Sequence, residues 1–311
     1  MPQPDSKLDF ALHLDFSSIL TNPILDIAAR LWEEDRYNAF QICYRSMRRI
    51  DDLVDHRRED QTPISPAELE SIHRSLTEWT QTALSGRSTD PFTRQFLDTL
   101  AKYRIPFWPW ERLCTAMIYD LTHNGFLSFH QFLRYCEGAA ISPAAVFMHL
   151  CGVRQKEDGN LPPAYDIRAA ARPLAIFSYL VHIMRDFEKD QRAGLNYFAD
   201  DLLRTAGLTP EALRGLAVAR TASPKLRGLM TEYVRIASYY RRLARGTIDR
   251  TLPLMPPRYQ LSLELIYSLY HQIFERLDPA RGQFTTEATN PEPAEVQACI
   301  QMTINGFRAV E

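Results

Sequence analysis

The sequence predicts an all-α protein. Apolar residues recur at steps of three and four through most of the 311 residues, the spacing that places side chains on one face of a helix. Clean alternation of apolar and polar residues, which would predict strands, is absent. Several prolines directly follow a polar residue that can cap a helix, and proline suits the first helical position because its missing N–H needs no partner there.

Capping residues and prolines predict where the helices begin and end. Asn22-Pro23 and Ser65-Pro66 are predicted helix starts, and Pro143 is expected to kink or break a helix because it cannot donate to the helical ladder. The chain to residue 20 is expected to be irregular or weakly helical, and residues 61–66 and 157–163 to be loops. Helices are predicted from Asn22 and Ser65, up to Arg104, after residues 106–110, and over 36–58, 129–150, 165–192, 209–220, 224–250, 258–277 and 294–308.

These helices are predicted to form one domain over residues 1–278. Residues 279–311 are expected to form a linker and a short C-terminal helix, because 279–294 holds three prolines and many polar residues. Gly138, which is followed by two alanines, is expected to allow another backbone to approach closely.

The composition is that of an ordinary soluble globular protein. The chain is 45% hydrophobic and 24% charged, with a formal net charge of −2, so no global charge favours a nucleic-acid partner. Its five cysteines are scattered, which predicts a reducing compartment. Residues 1–7 do not resemble a signal peptide, and no apolar run is long enough to span a membrane. A cytoplasmic location is therefore predicted, with at most peripheral contact with a membrane.

The predicted helix 36–58 carries an acidic motif beside its core face. Tyr44, Arg48, Asp51 and Asp55 step by three and four along one stripe. The adjacent stripe is apolar and is predicted to face the core; it consists of Phe40, Cys43, Met47, Ile50 and Val54. The polar stripe is therefore expected to lie where a cavity wall would be.

A second acidic motif lies more than a hundred residues further along, at the end of the predicted helix 165–192. Tyr179, His182, Asp186 and Asp190 share one stripe, and Arg185 precedes the first aspartate. Aspartates four residues apart differ by only about 40° around a helix, so both carboxylates of each motif are expected on one face. One such pair alone is typical of a solvated helix face, but two pairs in one helical chain are less easily dismissed.

Two facing carboxylate pairs would make a cage of oxygen ligands that suits Mg²⁺. Magnesium prefers oxygen, keeps some water, and is usually completed by substrate phosphates. The arginines at 48 and 185 make sense beside the acids if the ligand is a metal–diphosphate, since guanidinium binds phosphate oxygens in bidentate fashion.

Four segments together resemble the squalene/phytoene synthase family of head-to-head prenyl diphosphate synthases. YRSMRRIDDLVD at 44–55 and HIMRDFEKDQRAGLNYF at 182–198 are similar to the two signature motifs of that family. YCEGAA at 135–140 and YHQIFERLD at 270–278 resemble its intervening and C-terminal tyrosine segments. The likeness covers roughly residues 20–278 in order, a conjunction far more specific than any single motif.

The resemblance implies an isoprenoid synthase fold with a central cavity, and it implies roles for individual residues. Arg48 and Arg185 would bind diphosphate, and Tyr197 would lie near the flexible lip of the site. Tyr44, Tyr135 and Tyr270 would line the cavity near cationic intermediates, which aromatic faces stabilise. The implied Mg²⁺ ligands are Asp51, Asp52, Asp55, Asp186 and Asp190.

The sequence departs from the family pattern at several places, among them Lys189, where an acid is common, and Pro143, where small apolar residues are usual. The usual serine pair before the first motif is replaced by Thr21 and Asn22, which can still donate to phosphate. Tyr179 and His182 stand where the family has glutamine and asparagine. His182 is a candidate proton acceptor, because a histidine pKa lies near neutrality; the alternative is a hydrogen-bonded core histidine. These changes bear on the second substrate and on the product.

The function expected from the resemblance is Mg²⁺-dependent condensation of two prenyl diphosphates, farnesyl or geranylgeranyl. Head-to-head coupling would proceed through a cyclopropyl diphosphate to a C30 or C40 product such as squalene, dehydrosqualene or phytoene. Reduction to squalene would need NADPH. The sequence contains no GxGxxG loop, so it neither supports nor excludes NADPH binding. The alternatives are a terpene cyclase or diphosphate lyase acting on one prenyl diphosphate, and a non-catalytic family member.

Overall fold

The chain folds almost entirely into helices, as the periodicity predicts. The computed structural model describes residues 9–12, 14–59, 64–157 and 159–310. The expectation for residues 1–7 and part of the predicted loop 61–66 lie outside these residues. In chain order the α-helices are α1 Asp9–Leu12, α2 Ile24–Ala29, α3 Glu34–Glu59, α4 Pro66–Ser85, α5 Pro91–Tyr103, α6 Trp108–Thr122, α7 Phe129–Ala139, α8 Ile141–Gly152, α9 Ile167–Arg185, α10 Phe187–Arg192, α11 Asp200–Thr205, α12 Pro210–Val218, α13 Pro224–Thr251, α14 Pro257–Arg276, α15 Thr286–Thr289 and α16 Pro293–Gly306.

Of the two predicted helix starts, the one at Ser65 is confirmed and the one at Asn22 is displaced by one residue. Ser65 caps α4 as predicted, with its side chain accepting a hydrogen bond from the Glu68 amide. The start predicted at Asn22 lies one residue too early, because Pro23 is the N-cap of α2 and makes no side-chain cap. Asn22 instead donates from Nδ2 to Asp26 Oδ2 at 2.7 Å.

The chain divides by its contacts into two compact units. One of them consists of residues 34–124 and 133–172, and in it α3 packs against α5, α6 and α8. The apolar stripe predicted on α3 is buried throughout, with Cys43 and Val54 at 0% exposure. Trp110 on α6 donates from its indole to Ser46 Oγ at 2.8 Å. This packing fixes which face of α3 is left for the acidic motif.

The helix predicted over 129–150 is divided in two, but the break is not at Pro143. It falls at Ala140, between α7 and α8. Pro143 lies in the first turn of α8, where its missing N–H costs little. The close backbone approach predicted at Gly138 is confirmed, because a Cβ added there would lie 2.2 Å from the Arg112 carbonyl oxygen.

The exposed loop predicted over 157–163 is wrong in part, because the chain forms a short antiparallel hairpin. Strand β1 is Arg154–Lys156 and β2 is Gly159–Leu161, paired from Arg154 opposite Leu161 to Lys156 opposite Gly159. Asn160 donates to the Lys102 carbonyl oxygen at 2.8 Å. Strands this short carry too few residues for the alternation that would have predicted them.

The other unit consists of residues 1–33, 125–132 and 173–311. Its helix α14 packs against α2 and α16, and Trp32 donates to Ser262 Oγ on α14 at 2.8 Å. The segment after 278 is tied to the same helix, because the Gln260 side chain exchanges hydrogen bonds with backbone groups of Val310. The domain boundary at residue 278 stays a prediction.

The single helix predicted over 165–192 is wrong, since it is interrupted at the second acidic motif. Helix α9 ends at Arg185 and α10 begins at Phe187, with Asp186 between them at φ −90° and ψ 10°. The interruption is small, because the Asp190 amide still donates to the Asp186 carbonyl oxygen at 2.8 Å. The two aspartates therefore remain one helical turn apart.

Among the described helices, none is long and apolar enough to span a bilayer.

Candidate active site

The first acidic motif lies on α3, within the unit of residues 34–124 and 133–172. Arg48 binds two carboxylates at once, donating from Nη1 to Asp51 and from Nη2 to Asp52. Its spacing of three and four residues from these acids makes this possible within one helix. The Arg48 side chain is 47% exposed, so both its guanidinium and the two acids are accessible to a ligand.

Negative charge is crowded at this motif. Burial and the neighbouring Asp55 raise the pKa of Asp51 to about 6, against the opposing effect of Arg48. A carboxylate whose pKa is raised in this way gains from any added cation, since the cation favours its ionised form. Tyr44 lies one turn earlier and stacks on Phe40, with ring centroids 5.6 Å apart.

Tyr135 pairs with a buried acid that the sequence did not single out as functional. Its hydroxyl donates to Asp120 Oδ2 at 2.6 Å, and both side chains are buried. The Tyr119 ring lies 6.0 Å from the Tyr135 ring. A signal for Asp120 was present, since it follows Leu113 and Met117 at helical spacing on the buried face of α6. An acid on such a face predicts a hydrogen-bonded partner or a functional group.

The second acidic motif belongs to the other unit. Arg185 and Asp186 form a two-point ion pair, with Nε to Oδ1 at 2.7 Å and Nη2 to Oδ2 at 2.8 Å. His182 joins them, with Nδ1 3.0 Å from Arg185 Nη2 and Nε2 3.2 Å from Asp186 Oδ2. Because arginine only donates, Nδ1 must accept, and the ring proton therefore lies on Nε2. Loss of hydration and the nearby Arg185 lower the pKa of His182 to about 4.

His182 is therefore a neutral imidazole in this network. It is half-buried and bonded to charged neighbours on both sides, an arrangement between the two alternatives of proton acceptor and core histidine. The Tyr179 ring lies parallel to His182 at 6.1 Å, and Tyr197 meets Tyr179 edge-on at 6.3 Å. The structure thus brings together two residues that depart from the family pattern and one that follows it.

A cavity of about 290 Å³ lies in the same unit and joins three predicted substrate-binding residues. Thr21, Asn22 and Arg185 all line it. Its apolar lining comes from α2 and α14, and its remaining wall comes from the C-terminal segment; these further lining residues are Leu20, Ile24, Ile27, Leu269, Gln272, Ile273, Asn290, Pro291, Pro293 and Val296. Tyr270, on α14, interacts electrostatically with Arg185. Donors to an anion and an apolar surface therefore share one enclosure.

The predicted Mg²⁺ ligands fit a hard cation by chemistry. The acids of each motif offer only carboxylate oxygens, which Mg²⁺ prefers. In the described part of the chain, no group of three or more His, Cys, Asp or Glu side chains is arranged to hold a metal by itself. Magnesium commonly uses only one or two carboxylates and completes its shell with phosphate oxygens and water. The assignment of Asp51, Asp52, Asp55, Asp186 and Asp190 to metal stays a prediction.

Comparison with known sequences gives consistent relatives. A sequence model of the squalene/phytoene synthase family matches residues 26–295. Phytoene synthase 2 of Oryza sativa subsp. japonica is 27% identical over 185 residues, which are 60% of this chain and 44% of that protein. Phytoene synthase 1 of Zea mays is 24% identical over 254 residues, which are 81% of this chain and 57% of that protein. The chain thus spans about half the length of these curated relatives.

Comparison with solved structures shows the fold. A dehydrosqualene synthase crystallised with a ligand matches with a TM-score of 0.71 at 17% identity, over 96% of both chains. A squalene synthase from Alicyclobacillus acidocaldarius matches with a TM-score of 0.56 at 19% identity, over 80% of this chain and 96% of that one. The isoprenoid synthase fold expected from the sequence resemblance is therefore confirmed.

Proposed function

We propose, from the premise that this chain belongs to the squalene/phytoene synthase family, that it is a prenyltransferase. It condenses two allylic prenyl diphosphates, farnesyl or geranylgeranyl, head to head through a cyclopropyl diphosphate to a C30 or C40 product. The observation that carries the proposal is the cavity shared by Thr21, Asn22 and Arg185. Arg185 is also bonded to Asp186, so one residue connects an anion-binding enclosure to a proposed metal ligand.

Each acidic motif has a defined part in this proposal. The aspartates at 51, 52 and 55 and those at 186 and 190 would hold Mg²⁺, which would supply charge neutralisation that makes diphosphate a better leaving group. Arg48 and Arg185, which are paired with acids in the structure, would donate to phosphate oxygens of the substrate. Thr21 and Asn22 add neutral donors from the cavity wall. Preorganised donors of this kind stabilise developing charge without reorganisation.

The aromatic residues protect and stabilise the carbocation. Tyr44, Tyr135 and Tyr270 are the aromatic residues that we assign to this role, since an aromatic ring face attracts a cation through its quadrupole. The apolar lining of the cavity excludes water that would otherwise quench the cation. His182, neutral with its proton on Nε2, would take up a proton only where Arg185 releases Nδ1. We therefore assign proton acceptance to His182 only after Arg185 has turned to phosphate.

The reaction is tested by product analysis. The purified chain is incubated with farnesyl or geranylgeranyl diphosphate and Mg²⁺, with and without NADPH, and the hexane extract is analysed by mass spectrometry. A C30 or C40 hydrocarbon supports the proposal, and its dependence on NADPH separates squalene from dehydrosqualene. Absence of any C30 or C40 product with both substrates would contradict it.

A second function is favoured by one feature of the second motif. His182 and Asp186 both bind Arg185 Nη2, so His182 competes with phosphate for this donor where the family pattern has an amide. A weakened site for the second diphosphate would leave ionisation without coupling, as in a terpene cyclase or diphosphate lyase. The same extract distinguishes the two reactions, since a C15 or C20 hydrocarbon or alcohol in place of a coupled product identifies the alternative.

A further inference from the structure

Glu188 lies between the two aspartates of the second motif and points away from solvent. Its side chain is only 3% exposed. It accepts a hydrogen bond from the Thr286 amide at 2.9 Å, from Arg220 Nε at 2.6 Å, and it pairs with Arg192 at 3.2 Å. A buried carboxylate is stable only where charge and hydrogen bonds compensate for lost hydration. Its position is therefore determined by these partners.

Arg220 connects Glu188 to a second acid in the C-terminal segment. Its Nη2 lies 2.9 Å and 3.2 Å from the two carboxylate oxygens of Glu287. The Arg220 backbone has φ 51°, in the left-handed region that favours glycine. We name Glu188, Arg220 and Glu287 the ionic clamp.

The same C-terminal segment contacts the interruption between α9 and α10. Thr289 is fully buried, and its Oγ1 lies 2.7 Å from the Arg185 carbonyl oxygen and 2.9 Å from the Thr285 carbonyl oxygen. Arg185 immediately precedes Asp186. Helix α15 therefore bonds to the backbone at one end of the acidic motif through Thr289 and to Glu188 within the motif through Thr286.

The residues that follow α15 form part of the cavity wall. Asn290, Pro291, Pro293 and Val296 line the cavity that also contains Arg185. Contacts that hold α15 in place therefore also hold the helical turn that carries Asp186 and Asp190. They hold the cavity wall near Arg185 as well.

We infer that the ionic clamp is a positioning device for the diphosphate site, in which the C-terminal segment acts as a structural part of the second acidic motif. The inference rests on the proposed function for its ligand, a diphosphate with Mg²⁺. The ionic clamp and Thr289 do not touch that ligand; they act by holding Asp186, Arg185 and the 290–296 wall in place.

The first test measures the local stability of the backbone and does not require the chain to be catalytically active. Hydrogen exchange is followed in the metal-free full chain, in peptides covering 183–192 and 284–296, for Arg220→Ala, Arg220→Lys and Thr289→Val. The control is Arg235→Ala, which removes an exposed ion pair with Glu232 on α13. We expect at least tenfold faster exchange in both peptides for Arg220→Ala, partial recovery in Arg220→Lys, and no change in the control. If Arg220→Ala exchanges at the wild-type rate in the 284–296 peptide, the inference is overturned.

The second test measures the ligand site. Calorimetry gives the affinity of each variant for inorganic pyrophosphate with Mg²⁺, after circular dichroism has confirmed wild-type helix content. We expect Arg220→Ala and Thr289→Val to bind about tenfold more weakly, since residues that orient ligands typically contribute this much, with KM for prenyl diphosphate rising more than kcat falls. Wild-type pyrophosphate affinity despite faster exchange would overturn the positioning role.

The two proposals fail in different ways. A wild-type chain that forms no coupled product contradicts the prenyltransferase function, but its exchange rates and pyrophosphate affinity still test the clamp. A chain that forms product with unchanged kinetics in Arg220→Ala and Thr289→Val retains the function and rejects the clamp.

Discussion

Arg185 and Asp186, neighbours in the chain, bind each other through two hydrogen bonds of 2.7 Å and 2.8 Å. Side chains that adjoin along a regular helix point about 100° apart, and this pair lies at the interruption between α9 and α10, with Asp186 at φ −90° and ψ 10°. In this pair the two side chains neutralise each other. A cation would compete with Arg185 for the carboxylate, and a diphosphate would compete with Asp186 for the guanidinium. Binding the proposed ligand therefore means exchanging one ion pair for two new contacts.

Removal of one carboxylate of this motif is expected to abolish most activity. Asp186→Asn keeps the shape but loses the charge that we propose binds Mg²⁺, and we expect kcat/KM for prenyl diphosphate to fall by about 10² to 10³. Steady-state kinetics at several Mg²⁺ concentrations measure the loss. Asp249→Asn, at an exposed acid paired with Arg245, is the control with wild-type kinetics. Unchanged turnover in Asp186→Asn would remove this residue from the metal site.

The cavity predicts a role for Asn22 in substrate affinity. Asn22→Ala removes a donor that now reaches Asp26, and we expect KM for the allylic diphosphate to rise about tenfold, by roughly the free energy of one hydrogen bond to a charged group. The exposed Asn305 supplies the matched control, Asn305→Ala. If both variants show the same KM as wild type, Asn22 does not contact the substrate.

The Tyr135 hydroxyl is expected to stabilise the fold as well as line the site. Tyr135→Phe loses the 2.6 Å hydrogen bond to the buried Asp120, and we expect the free energy of unfolding to fall by about 1–3 kcal/mol. Urea denaturation measures it, with Tyr239→Phe as the control at a half-exposed tyrosine. A change of only a few tenths of a kcal/mol would show that the bond contributes nothing to stability.

His149 is expected to make stability fall on acidification. The ring is 2% exposed and Nε2 lies 2.8 Å from the Tyr103 carbonyl oxygen, and burial lowers the pKa of His149 below its ordinary value. The unfolded chain therefore binds a proton first. The stabilisation is complete above the unfolded pKa of about 6.5 and is lost as pH falls below it, at up to about 1.4 kcal/mol per pH unit.

Urea denaturation at pH 7.5 and 5.5 tests this dependence. His149→Gln can keep the hydrogen bond to Tyr103 but cannot titrate, so its unfolding free energy should fall less between the two pH values than that of the wild type. An equal fall in both proteins would show that His149 does not contribute to the acid sensitivity. Asp51 and His182 also titrate in the folded chain, but both are present in the wild type and in His149→Gln, so their contributions cancel in the difference.

The helical class, the cap at Ser65, the buried stripe of α3 and the spacing of both acidic pairs can all be predicted from the amino-acid sequence. Each of these depends on residues within one or two helical turns, where period and capping chemistry act directly.

Other contacts of the site depend on how the folded chain packs. The sequence did not indicate that Asp120 pairs with Tyr135, that Thr289 contacts the carbonyl of Arg185, or that the cavity draws its wall from both ends of the chain. Such contacts join residues that are separated in the chain, and which residues meet depends on how every helix packs. A local pattern shows that a buried acid needs a partner, but only the packed chain selects which one.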